Sequence, residues 1–183
     1  TPSGIVTGCR IDRRNYRIRL TDPSVLRLDC QAEACGRRWD CSYVELGTPG
    51  LPHAVVPFPG LAQKSMEEMR ELGRELRWAP AFPKGANVNF CDITGPDQVT
   101  ELTYERGVED FTYACGTGTG SAVLVLTLTG RVSGENVEVS VPGGRLRVTI
   151  DREGDAVKAI WLTGPTNIVC EGEVRDEDLV LPE

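Results

Sequence analysis

The chain has 183 residues, 40% of them apolar and 26% charged, which suits a globular protein of one large domain, or one domain plus part of another. Its 27 acidic and 20 basic side chains leave a formal charge of −7, which argues against the basic face that nucleic acid requires. No apolar run approaches the roughly 20 residues needed to cross a bilayer, and the opening TPSGIVTG lacks the parts of a signal peptide, so the expected location is the cytoplasm.

The first third reads as strands. Residues 4–10 and 15–20 flank the polar turn Asp12-Arg13-Arg14, and Tyr16-Arg17-Ile18-Arg19-Leu20 alternates as a sheet with one wet face would. Residues 39–46 and 53–58 read as two more strands around the Gly- and Pro-rich segment 47–52. Met66, Met69, Leu72 and Leu76 then recur at spacings of three and four, which predicts an amphipathic helix over 63–77, stopped before Pro80 and Pro83. Residues 87–92 and 99–105 read as strands.

Residues 116–127 open with Gly-Thr-Gly-Thr-Gly-Ser and continue almost wholly apolar, which predicts a buried helix. Strands follow at 136–141, 146–150 and 157–162, around Pro142-Gly143-Gly144 and Glu153-Gly154, with a last strand at 167–174. The acidic tail 176–183 should fray. The pattern gives an α+β fold, a strongly curved, mainly antiparallel and barrel-like sheet around a central helix.

Seven cysteines are scattered along the chain, an odd number that argues against a disulfide framework. Cys30, Cys35 and Cys41 are close together, but no Cys-x-x-Cys pair occurs and the single histidine, His53, lies well beyond them. No metal is expected there. Cys115 is different, because it stands immediately before the glycine-rich helix start. Free amides and the helix dipole favour negative charge at such a place. They can tune a thiol toward thiolate, and the amides of Gly116, Thr117 and Gly118 can hold an anion. A buried structural cysteine beside a flexible loop remains the alternative.

Glu105-Arg106-Gly107-Val108 followed by Ala114-Cys115-Gly116-Thr117-Gly118 resembles the second cysteine motif of the diaminopimelate epimerase family. Gly50-Leu51-Pro52-His53, Phe82-Pro83-Lys84-Gly85-Ala86-Asn87-Val88, Pro142-Gly143-Gly144 and Leu162-Thr163-Gly164-Pro165 resemble further segments of that family in the right order. The resemblance implies a racemase or epimerase that works without pyridoxal phosphate or any other cofactor. Two cysteines would exchange protons on opposite faces of the α-carbon of an amino acid, first among them LL- and meso-diaminopimelate of lysine and peptidoglycan biosynthesis. Cys115 matches the second cysteine. Gly116, Thr117 and Gly118 would bind the α-carboxylate, Glu105 and His53 the α-ammonium, and Asn87 and Arg106 the distal end.

Three departures accompany the resemblance. Leu51 stands where an asparagine is usual, the spacer before Cys115 is longer by a residue, and the first cysteine motif, Cys-Gly-Asn, is absent. Residues 1–40 then read as strands of an incomplete first domain, 41–163 as the epimerase-like domain, and 164–183 as a returning strand and tail. The first cysteine would come from a second polypeptide or from a missing N-terminal half, and an unpaired sheet edge would admit such a partner or a second copy of the chain. A ligand-binding or regulatory subunit without activity, and an isomerase of another amino acid, are the alternatives.

Overall fold

Nine of the ten segments read as strands appear as strands, two further strands join them, and the two periodic or apolar segments become helices, in a computed structural model that describes residues 6–154, 156–173 and 175. In chain order the elements are β1 (Gly8–Arg10), β2 (Asn15–Arg19), β3 (Pro23–Ala34), β4 (Arg37–Leu46), β5 (Leu51–Pro57), α1 (Met66–Arg77), β6 (Asn87–Gly95), β7 (Gln98–Glu105), β8 (Asp110–Thr112), α2 (Gly116–Leu128), β9 (Val137–Val141), β10 (Gly144–Glu153) and β11 (Ala156–Pro165). All strands join one sheet in the order β1-β2-β11-β10-β9-β7-β6-β5-β4-β3, with β8 attached to β7.

Among the described residues two neighbouring pairs are parallel, β5 with β6 and β7 with β9. A parallel pair needs a long crossover, and the two helices are those crossovers. They lie against different clusters of core residues. α1 starts at Ser65, whose hydroxyl accepts from the Glu68 amide while the Glu68 carboxylate accepts from the Ser65 amide, a reciprocal cap. It buries Met69, Leu72 and Leu76 against Tyr43, Phe82, Phe90 and Tyr104.

α2 contains no charged residue and is buried from Gly118 to Thr127. A helix apolar all round has no side to give to water, so it must be enclosed. It touches β4, β5, β6, β10 and β11. In the sheet β11 and β4 are separated by six steps, about 29 Å if the sheet lay flat at ~4.8 Å per step. A helix is only about 10 Å across, so the sheet curls around it.

The curl does not close. β1 and β3 remain its edges, and the barrel-like closure expected from the sequence is not reached. At the β3 end, Ala32 and Ala34 pack into the cluster under α1 rather than around α2, which draws that edge toward the opposite face.

β3 is absent from the sequence reading, although Leu26, Leu28, Cys30, Ala32 and Ala34 alternate along it. Conversely, residues 166–173 form no strand where one is expected, and Ile168 and Val169 stand 80% and 85% exposed with no ladder to join. The tail at 176–183 lies outside the described residues. Among the described residues no helix is long and apolar enough to cross a membrane.

Gly73 marks the closest approach of α1 to the sheet. A Cβ there would stand 2.7 Å from the ring of Tyr104, whose hydroxyl is tied to the Glu109 carbonyl at 2.7 Å. Alanine would gain about 1 kcal/mol of helix propensity, but overpacking a held ring costs about 1–3 kcal/mol. Gly73→Ala should therefore lower the urea-unfolding free energy by about 1 kcal/mol; a gain would mean that the ring moves freely.

Candidate active site

Strand alternation assembles the site. His53 on β5 lies beside Asn87 on β6, and Asn89 lies opposite Thr103 on β7. With Glu105 these residues share the sheet face that receives the start of α2. Cys115 is the N-cap residue of α2, in extended conformation and 9% exposed. A Cβ on Gly118 would run into Oδ1 of Asn89 and come within 3.2 Å of the Cys115 sulfur. Glycine at 118 thus lets sheet, helix start and thiol meet. Gly116 and Gly120 meet Leu162 and Leu20 in the same close way.

The backbone N–H groups of Gly116, Thr117 and Gly118 belong to the first turn of α2 and have no partner within the helix. The first intrahelical bond runs from the Thr119 amide to the Cys115 carbonyl, 2.8 Å. A helix start of this kind favours an anion.

The thiol itself departs from expectation. Burial, and then the nearby Glu105 carboxylate, push Cys115 up to about 11, although the Gly118 amide and the Thr117 hydroxyl pull the other way. Desolvation outweighs the helix start. At neutral pH the sulfur carries its proton.

His53 is fully buried. The Asn89 amide nitrogen lies 3.2 Å from its Nδ1, and the same nitrogen is 3.3 Å from the Ala54 carbonyl and 3.4 Å from the Asn87 carbonyl. Two carbonyls beside it identify that nitrogen as the donor, while Asn89 Oδ1 accepts from the Thr103 hydroxyl at 3.1 Å. Nδ1 of His53 therefore accepts, its hydrogen sits on Nε2, and Nε2 is buried without a partner among the described residues. Burial, then Arg106, push His53 down to about 3, so the ring is neutral.

Glu105 accepts from the Thr112 hydroxyl at 2.5 Å, which fixes the carboxylate beside the thiol. Asn87 accepts from the Arg106 amide at 2.8 Å and donates to the Pro52 carbonyl at 3.3 Å. It latches the start of β5 to the turn that follows β7. The exposed Arg106 guanidinium donates to the Lys84 carbonyl at 3.2 Å. The structure thus brings Cys115, Gly116, Thr117, Gly118, Glu105 and His53 to one end of the enclosed helix, and Asn87 and Arg106 to its margin.

Sequence reasoning missed Asn89, Thr103 and Thr112. It also missed Glu101, fully buried, whose Oε2 accepts from the Thr119 hydroxyl at 2.5 Å and whose Oε1 has no partner among the described residues. Burial pushes its carboxyl up to about 8. Alternation along β6 and β7 from Asn87 and Glu105 was the available signal. Among the described residues no group of His, Cys, Asp and Glu is placed to hold a metal ion. A cleft of about 590 Å³ lined by Arg37, Arg38, Trp39, Phe58 and Arg131 includes none of the residues at Cys115.

The family described as diaminopimelate epimerase matches residues 47–169. A diaminopimelate epimerase of Chlorobaculum tepidum is 37% identical over 160 residues, 87% of this chain and 58% of that protein. One of Flavobacterium psychrophilum is 36% identical over 131 residues, 71% of this chain and 50% of that protein. The chain spans about half the length of these relatives. In fold it is similar to a probable proline racemase from Agrobacterium radiobacter K84, TM-score 0.61 at 19% identity over 92% of this chain and 58% of that one. It is also similar to a hydroxyproline epimerase from Agrobacterium vitis, TM-score 0.54 at 23% identity over 88% and 54%.

The single histidine makes one consequence directly visible. Nitrogen NMR of the labelled ring should show the hydrogen on Nε2 and no titration through the ordinary value of 6.5; titration near that value would contradict the buried contact with Asn89. Glu101 gives a second. Its folded-state value is raised, so the folded chain holds a proton between 4.5 and about 8 that the unfolded chain has lost. Its stabilising contribution is present at acid pH and fades as pH rises through that window. Glu101→Gln keeps an acceptor for Thr119, so the variant should lose less stability than the parent over that range, measured by urea unfolding at each pH.

Proposed function

The chain belongs to the diaminopimelate epimerase family, and we propose that it supplies one of the two acid/base cysteines of an amino-acid epimerase that uses no pyridoxal cofactor. The observation that carries the reading is Cys115 at the N-cap of an enclosed helix, beside first-turn amides without intrahelical partners and near the Glu105 carboxylate.

The amino-acid carboxylate takes the amides of Gly116, Thr117 and Gly118, and Glu105 takes the ammonium group. An ammonium on Glu105 cancels the charge that raises the Cys115 thiol, so substrate binding brings thiol and thiolate closer in energy. Cys115 then delivers its proton to the α-carbon as the opposing thiolate removes one from the other face, and in the reverse direction it accepts one. Negative charge that develops on the carboxylate as the carbanion forms is met by the helix amides. In the tautomer held by Asn89, His53 presents a hydrogen rather than a lone pair, so it suits a carbonyl or carboxylate oxygen and not the ammonium group.

The substrate class is an α-amino acid with a polar distal end, diaminopimelate first, with Asn87 and Arg106 at that end. Leu51, at the mouth of β5, removes a polar contact there. The opposing cysteine comes from a polypeptide segment outside these residues, on a second chain or on the same longer one. That assignment rests on the absence of a Cys-Gly-Asn motif among the seven cysteines. On this reading residues 1–40 are strands of that first domain, 41–163 the epimerase domain, and 164–183 the return to it. We place the protein in the cytoplasm, in keeping with its free cysteines.

The test is exchange of the substrate α-proton with deuterated solvent, with the chain and its complementing segment together. Diaminopimelate should exchange, and Cys115→Ser should slow exchange at least about 100-fold, the usual worth of a positioned acid or base, with its unfolding midpoint nearly unchanged. Exchange that survives the substitution would remove Cys115 from the chemistry.

A further inference from the structure

β3 and β4 form a hairpin whose turn carries Cys35 at φ 50 and Gly36 at φ 69. From that turn the register runs back through Ala34 with Arg37 and Ala32 with Trp39 to Cys30 with Cys41. The two cysteines are direct cross-strand neighbours on one face of the sheet, and both pack into the α1 core cluster. α2 and Cys115 belong to the other face.

Directly opposed residues of an antiparallel pair have Cα atoms about 4.5 or 5.5 Å apart. Both separations fall inside the roughly 4.4–6.8 Å that a disulfide spans. The ladder breaks between Arg27 and Cys30, so the strand can yield the small further approach that two sulfurs need. Cys30 is half-buried and reachable, whereas Cys41 is 5% exposed.

We propose that Cys30 and Cys41 are a dithiol modification site, which closes to an intramolecular disulfide on meeting a small disulfide of the glutathione type. The Cys30 sulfur, as thiolate, attacks one sulfur of the oxidant; that S–S bond breaks, and the first small thiolate leaves and takes up a proton. The Cys41 thiol then loses its proton and attacks the Cys30 sulfur, expelling the second small thiolate, which is protonated in turn. Two protein thiols have given up two electrons and two protons, and the small disulfide has become two thiols. Burial, with Cys30 next, pushes Cys41 up to about 12, so the second step is the slow one and the mixed disulfide on Cys30 precedes the closed bridge. The bond pins the edge strand β3 to β4 and is independent of the epimerase reading.

The experiment treats the reduced, folded chain with glutathione disulfide, blocks remaining thiols, and maps peptides by mass spectrometry. Cys35 lies on the same tryptic peptide as Cys30, so the map is made in a Cys35→Asn background, which suits a left-handed turn position. The expected product is a Cys30–Cys41 cross-link, with Tm raised by a few degrees. Cys41→Ala should stop at glutathione on Cys30, and Cys30→Ala should give neither the cross-link nor the Tm rise. A Cys30 adduct that never closes in the parent chain, or two thiols that both stay reduced, overturns the proposal. If Cys41→Ala fails to fold, the parent and the half-exposed Cys30→Ala decide the matter alone.

Discussion

A helix with no polar side governs this molecule. Nothing charged lies between Gly116 and Leu128, so every face of α2 must find protein, and strands six steps apart in the sheet are drawn onto one helix. The curvature of the sheet follows from that demand, and so do the small residues at the start of α2. Gly116, Gly118 and Gly120 each occupy a place where a Cβ would collide with the surrounding sheet. The glycine run is at once a packing device and the source of unpartnered amides.

Enclosure also decides the ionic state of what lies around the helix start. Burial moves Cys115 to about 11, Glu101 to about 8 and His53 to about 3. All three are moved toward their neutral forms, and each shift has desolvation as its largest cause. Against this wall Glu105 is a fixed carboxylate acceptor, held by Thr112. A site made this way has its charge requirement completed by the ligand. On the proposed reading its amides would take an anion and Glu105 a cation, the two ends of an α-amino acid. The same desolvation keeps Cys115 protonated but makes it a weaker acid, and in the proposed reaction a bound ammonium group would draw the thiol back toward its ordinary value.

Much of this was legible in the residues. The spacing of Met66, Met69, Leu72 and Leu76 located α1, and the unbroken apolarity after Gly116 located a buried α2. Alternation found most strands to within a few residues. β3 was overlooked because its inward positions are Cys30, Ala32 and Ala34, small residues of modest strand preference, whose burial depends on α1 closing over them. The segment after Thr166 carries Ile168 and Val169 yet forms no strand, because a ladder needs a neighbour that sequence pattern does not supply. For the site, the motif at Cys115 marked the place, but the direction of the thiol shift was misread. A helix start was visible in the sequence, whereas burial by β-strands far along the chain was not. Asn89, Thr103 and Glu101 share a face with Asn87 and Glu105 by strand alternation, a signal the reading left unused.

The acidity of the Cys115 thiol tests this account most directly, because it reads the balance between enclosure and helix start on the reacting atom. It is obtained from the rate of alkylation at Cys115 against pH, followed on its own peptide, in the parent chain and in Glu105→Gln. The account predicts a value near 11 in the parent and a lower one once the carboxylate is removed. An ordinary thiol value that ignores Glu105 would mean that the sulfur sits in water, away from both the carboxylate and the enclosed helix.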